Sequence, residues 1–212
     1  VKNTSVTVFW HSQMYFLCLL ILLYAFFCFF SMEQKEGCLK WIDRWFASGY
    51  PKEKRRRVME IERKFLTKEV PFSLADFPAR KISQCYISMS PTIRLRQWDD
   101  RYILTVKGKG LLAKEEFELE ITKEEYDHLL TKAESPAVEK VRYLVPLEDG
   151  LTAEVDVYEG KLAGLMTTEV EFPTLEEAEA YEPPYWFGKD VSFDHRYKNT
   201  SLSLYGIPEE QE

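Results

Sequence analysis

Ionisable side chains recur two residues apart through most of the chain after residue 58. Glu60, Glu62 and Lys64 form one such series, and Arg94 with Arg96 forms another. Lys107 shares its parity with Ile103 and Thr105. Glu116, Glu118 and Glu120 follow, then Lys140 with Arg142, Glu154 with Asp156, and Glu169 with Glu171. Carboxylates are ligands for hard divalent cations, while Arg and Lys bind phosphate oxygens. Leaving Glu120 aside, the set holds eight carboxylates and six bases. That mixture suits a polyanion held together with divalent cations.

A spacing of two is the period of a β-strand, in which successive side chains point to opposite faces. Eight segments carry this period: Met59–Leu66, Gln84–Met89, Thr92–Trp98, Arg101–Lys107, Lys114–Ile121, Glu139–Pro146, Leu151–Tyr158 and Leu165–Phe172. The charges oppose apolar residues such as Ile61, Phe65, Ile93, Leu95, Phe117, Leu119, Val155 and Val170, with Arg63 as an exception. Gly108-Lys109-Gly110 and Glu148-Asp149-Gly150 read as turns. Helices are predicted over Lys123–Ala133 after Thr122, over Leu175–Tyr181 after Thr174, and over Asp194–Leu204.

One strand with a charged face is ordinary, since most antiparallel sheets wet one side. Repeated doublets of one sign are less ordinary, because like charges on one face repel and need counter-charges or bound ions. A closed eight-stranded antiparallel barrel would turn those faces inward and leave the apolar faces outward beneath helices. The expected fold class is therefore a β-rich α+β protein built on such a barrel, with room inside for one small ligand.

Charge divides the 212-residue chain at the same place. The formal net charge is −7. Residues 1–58 hold nine basic and four acidic side chains, and residues 59–212 hold 19 basic and 31 acidic. A domain with that surplus of acid is a poor nonspecific binder of nucleic acid. Cys85 alone of the four cysteines lies in it, which excludes a disulfide framework. Met14–Phe30 is an uncharged apolar run, long enough to cross a bilayer. The bases that follow it would leave the domain on the cytoplasmic side of an inner membrane. An alternative is that Met59 is the true start, Arg55–Arg57 being a translated ribosome-binding tract and residues 1–58 a leader. The protein is then cytoplasmic, with membrane contact only if 14–30 is real.

Met59-Glu60-Ile61-Glu62-Arg63-Lys64-Phe65-Leu66 resembles the ExExK signature of the CYTH superfamily, the triphosphate tunnel metalloenzymes. Further blocks agree in order: Arg94-Leu95-Arg96, Thr105-Val106-Lys107, Glu116-Phe117-Glu118, Glu139–Tyr143, Glu154-Val155-Asp156, Glu169–Phe172 and Arg196–Asn199. The resemblance spans Met59 to about Pro208 and is strongest to the small bacterial inorganic triphosphatases.

It implies a tunnel that hydrolyses a triphosphate with Mg²⁺ or Mn²⁺, as two ions. By this likeness Lys64, Arg94, Arg96, Lys107 and Arg142 hold phosphate oxygens, and Lys198 on the last helix closes one mouth. Glu60, Glu62, Glu169 and Glu171 bind one metal, with Glu118 and Asp156 at a second. Lys140 with Tyr86 positions the attacking water. Glu116 and Glu154 are supporting carboxylates or barrel ion pairs, and Glu120 has no assigned role. Related activities remain alternatives: adenylate cyclase, thiamine or nucleoside triphosphatase, or a non-catalytic triphosphate or polyphosphate sensor. A homodimer is compatible with all of them.

Overall fold

The computed structural model describes residues 55–108, 113–148 and 150–209, with side chains from Met59 onward and, in the fifth strand, from Glu116. The apolar run 14–30 and nearly all of the expected leader therefore lie outside the described residues. No helix among the described residues is long and apolar enough to cross a membrane.

Eight strands are present: β1 Arg55–Leu66, β2 Ala79–Met89, β3 Thr92–Trp98, β4 Arg101–Lys107, β5 Ala113–Ile121, β6 Val138–Pro146, β7 Thr152–Tyr158 and β8 Met166–Glu171. Three short helices accompany them: α1 Lys123–Leu130, α2 Leu175–Ala180 and α3 Asn199–Tyr205. The strands form one antiparallel sheet that curls until its order returns on itself, β1-β5-β4-β3-β2-β6-β7-β8. The return is staggered. β1 pairs with β5 through Arg55–Ile61 and with β8 through Glu62–Leu66, so no residue of β1 pairs with both. Beside the second half of β1 runs the segment 188–192, where Gly188 N donates to Leu66 O and Val191 N to Lys64 O. A Cβ on Gly188 would stand 2.4 Å from the Leu66 carbonyl oxygen, so only glycine fits there.

The strand count, the antiparallel sense and the charged inner face agree with the sequence expectation. The outer face is apolar. Cys85, Leu95, Leu104, Phe117 and Leu119 pack beneath Tyr126 and Leu129 of α1. Ile61, Phe65, Val155 and Val170 pack against Ala178 of α2 and Phe187. Burying side chains of this size stabilises by roughly 1.5–3 kcal/mol each. Helix α1 starts at a reciprocal cap: Glu125 N donates to Thr122 Oγ1, and Thr122 N to the Glu125 carboxylate.

The helix after Thr122 ends at Leu130 rather than Ala133, and three other elements change most. β1 begins at Arg55 rather than Met59, because its first residues ladder onto β5. β2 begins at Ala79 rather than Gln84. Arg80 and Lys81 interrupt the apolar signal there, yet their backbones pair with Arg142 and Val141 of β6. The helix expected over Asp194–Leu204 is divided into a 3₁₀ turn, His195–Tyr197, and α3. Asp194 caps the turn by accepting from Arg196 N, which leaves Lys198 as an extended residue between the two.

Candidate active site

Cross-strand register brings the charged doublets side by side. Lys64 lies opposite Glu169, and Glu62 opposite Glu171. Arg94 lies opposite Thr105, Thr105 opposite Glu118, and Lys107 opposite Glu116. Arg142 lies opposite Asp156, and Glu154 opposite Glu169. Residues that pair across an antiparallel ladder share a face, so these side chains line one surface.

Part of that surface is neutralised internally. Lys64 Nζ is 3.0 Å from Glu169 and donates to the Tyr158 hydroxyl. The Arg142 guanidinium grips Asp156 through Nε and an Nη, each at 2.7 Å, and also reaches Glu154 and Glu169. Lys140 contacts Asp156, and both are fully buried. Burial alone would raise the pKa of Asp156 and of Glu169. Arg142, Lys140 and Lys64 outweigh it and hold both carboxyls below the usual range. Burial, with Arg142 and Lys64 adding to it, pulls Lys140 down to about 8 against the opposing charge of Asp156.

The remainder divides into a patch richer in bases and a patch richer in carboxylates. On one side burial pulls the Arg96 guanidinium down to about 10, and the charges of Arg94 and Arg142 add to this. Arg96 Nε donates to Gln84 Oε1, and Gln84 Nε2 donates to the Tyr86 hydroxyl. Arg94 Nε is buried with no hydrogen-bond partner among the described residues. A buried donor left unmade costs stability, and a bound anion would satisfy it.

On the other side stand Glu60, Glu62, Glu154 and Glu171. Burial and the neighbouring Glu116 raise Glu60, although Lys107 lies 3.2 Å away. Burial, then Glu169 and Asp156, raise Glu154 against Arg142. Partial burial, then the charges of Glu154, Glu60 and Glu62, push Glu171 up to about 7. The Glu171 side chain is solvent-exposed, so its carboxylate neighbours are the weightier cause.

The metal ligands expected from the sequence are thus divided. Glu60, Glu62 and Glu171 belong to the acidic surplus. Asp156 and Glu169 are engaged by bases, and Glu118 faces Arg94 at 3.6 Å. Among the described residues no three His, Cys, Asp or Glu side chains converge as a metal site. The all-carboxylate donor set and its mutual repulsion nevertheless fit a hard divalent cation.

Among the bases, Lys107 contacts Glu116 and Glu60, and Arg142 is saturated by carboxylates. Lys198 is the extended residue that precedes α3. Tyr86 and Lys140 are set apart: Lys140 pairs with Ile82, four residues before Tyr86 on β2 and about 13 Å along the strand. Tyr158 takes the place beside Lys140, its ring centroid 5.4 Å from Nζ. Its hydroxyl donates to Asn199 at the start of α3.

Sequence reasoning missed Tyr158 and Gln84. The signal was parity, since both share the inward face of the charged residues on their strands. Glu120 pairs with Arg101, an exposed arginine against a half-buried glutamate. Cys85 is buried in the outer core as a small apolar residue, as expected. A cavity of about 450 Å³ near Leu66, Pro71 and Trp186 lies outside the charged surface, and none of the doublets lines it.

The chain is 41% identical over 149 residues to an inorganic triphosphatase of Nitrosomonas europaea, covering 68% of this chain and 97% of that protein. The chain belongs to the CYTH superfamily, among the small bacterial inorganic triphosphatases. A second such enzyme, from Acetivibrio thermocellus, is 34% identical over 146 residues, covering 68% of this chain and 92% of its relative. Among solved structures, the inorganic triphosphatase NE1496 superposes with a TM-score of 0.53 at 39% identity, over 69% of this chain and 95% of that one. No protein-family model matches the chain. In this chain the ExExK residues of β1 occupy the two kinds of environment just described: Glu60 and Glu62 in the acidic surplus, Lys64 in the neutralised cluster.

Proposed function

We propose that this protein hydrolyses inorganic triphosphate to pyrophosphate and phosphate inside the curled sheet, which closes as a tunnel around its substrate. The observation that carries this reading is the pair of opposite charge surpluses on one surface. A polyanion with a divalent cation neutralises both at once, which neither partner alone would do. The names of the relatives supply the substrate class.

In this reading Arg94, Arg96 and Lys107 hold phosphate oxygens, the arginines as forks and the lysine as a point charge. Lys64 and Arg142 hold Asp156 and Glu169 in place and add positive potential to the charged surface. Glu60, Glu62 and Glu171 would hold Mg²⁺ or Mn²⁺, with Glu154 beside them. That ion would supply charge neutralisation and a Lewis acid at the phosphate oxygens. A second ion at Glu118 and Asp156 has less support, because both carboxylates already face arginines.

The chemistry left to the chain is positioning and one proton transfer. Water attacks the terminal phosphorus, the bridging P–O bond breaks, and pyrophosphate leaves. The water's proton passes to a base, and Lys140 Nζ, with its pKa near 8, is the group we assign. The rate should therefore climb as pH rises through about 8, as the amine loses its charge. Lys140→Ala should lower kcat by about 10²–10⁴-fold, leave KM nearly unchanged, and remove that limb of the pH profile. A pure KM effect would reassign Lys140 to substrate binding.

The test of function incubates the protein with Mg²⁺ or Mn²⁺ and tripolyphosphate, ATP or thiamine triphosphate, then measures phosphate, pyrophosphate and cyclic AMP. Phosphate from tripolyphosphate above the other two supports the reading. Pyrophosphate with cyclic AMP from ATP would overturn it in favour of a cyclase, and tight binding without product in favour of a sensor. The acidity of the domain argues against a nucleic-acid partner, and a cytoplasmic location suits its single buried cysteine.

A further inference from the structure

One inward-facing base is not accounted for by the site above. Arg80 lies directly opposite Arg142, so its side chain emerges on the charged face. Two like charges at such a pair repel. The conflict is resolved unequally. Arg142 is saturated by three carboxylates. Arg80 has no ion pair among the described residues, and its guanidinium lies over the ring of Trp98, 4.4 Å from the centroid. Trp98 is itself inward, since it pairs with Ile82, and Ile82 pairs with Lys140. Stacking occupies the flat face of a guanidinium and leaves its in-plane N–H donors available.

The position along the sheet gives this cation its meaning. On β6 the inward residues run Val138, Lys140, Arg142, opposite Gln84, Ile82 and Arg80 of β2. The Val138 end is covered: Val138 and Tyr158 are buried against Tyr197 and Leu202 of the C-terminal turn and α3. Exposure grows the other way. Lys140 and Asp156 are 0% exposed, the Glu154 side chain is 21% exposed, and Glu171 is exposed. Arg80 and Trp98 are half-buried at that open end. A phosphate chain entering there meets Arg80 before Arg96 and Arg94.

We propose that Arg80, braced on Trp98, is an outer phosphate site that takes the fourth phosphate of an inorganic polyphosphate longer than three units. The inference rests on the triphosphate reading of the inner site and adds a subsite for chain length. Trp98 keeps the arginine extended along the rim, and the guanidinium edge provides the fork for a phosphate oxygen.

Calorimetric titration of the full chain with tripolyphosphate and with tetrapolyphosphate, without added metal so that no turnover intervenes, tests this. Arg80→Ala should weaken tetrapolyphosphate binding by about tenfold, the loss of one charge-assisted fork. Tripolyphosphate binding should stay within about twofold. Arg80→Lys should recover only part of the loss. Equal weakening for both chains would make Arg80 part of the inner site and overturn the proposal. So would no change in either affinity with only a lower melting temperature, which would leave Arg80 as a packing partner of Trp98. Absence of tripolyphosphate binding by the wild type would count against the inner-site reading instead, while tetrapolyphosphate affinity would still report on Arg80.

Discussion

Glu171→Gln should abolish metal-dependent phosphate release while making the metal-free protein more stable at pH 8. The first effect follows from taking one carboxylate from the acidic surplus that would hold the ion. The loss should exceed about 100-fold, the upper range for removing a mere supporting partner of a metal site. Glu62→Ala, directly opposite on β1, should behave alike. The second effect follows from linkage. Glu171 has its folded pKa raised to about 7 from an ordinary 4.5, so the native state binds more protons than the unfolded chain between those values. Stability contributed by this group is therefore present below 4.5 and is lost as pH rises through about 7. Glutamine removes the charge and with it the repulsion. The melting temperature of Glu171→Gln should exceed that of the wild type at pH 8 and converge with it near pH 4. Divalent cation should raise the wild-type melting temperature at pH 8 more than that of the variant. Normal turnover by both Glu171→Gln and Glu62→Ala would remove these residues from the site.

Arg142→Ala should have the largest effect on folding. The arginine neutralises Asp156, Glu154 and Glu169 together, and Asp156 is fully buried. Removing one partner of a buried ion pair leaves an uncompensated charge at a cost of about 3–5 kcal/mol. Domain stabilities are only about 5–15 kcal/mol in total. Lysine should rescue little, since a point charge cannot replace a fork that grips Asp156 through two nitrogens.

The pH dependence gives the diagnostic sign. In the wild type, Asp156 and Glu169 have depressed pKa values, so their contribution is present above the unfolded carboxylate range and lost as pH falls. Without Arg142 burial dominates, the carboxyls bind protons more readily, and acidification from pH 7 toward 5 should stabilise the variant. Denaturant midpoints measured at both pH values decide this. A wild-type midpoint for Arg142→Ala, or the same slope with pH, would show that the cluster is not held by this arginine.

Much of the site was legible from local pattern. Glu60, Glu62, Lys64, Arg94, Arg96, Glu154 and Glu169 were marked as one surface by parity alone. What the pattern could not supply was partnership. Asp156 and Glu171 look alike in sequence, each the second acid of a doublet. One is clamped between Lys140 and Arg142, while the other stands among carboxylates at the open end. The pairing of Lys140 with Tyr86 was likewise drawn from resemblance, whereas the ladder between β6 and β7 places Tyr158 opposite Lys140. The last helix was mistaken for a single element because the cap made by Asp194 is a local hydrogen bond, invisible to periodicity.

The sequence by itself determined which side of each strand is charged, because the alternation of side chains is a property of the extended backbone and needs no partner. It also determined the family, since the doublets occur in a fixed order. Only the tertiary structure decided which charges cancel and which remain in surplus. That depends on register between segments far apart in the chain, such as Lys64 against Glu169 and Arg142 against Asp156. A Coulomb interaction is set by distance and burial, and neither exists until the sheet has curled.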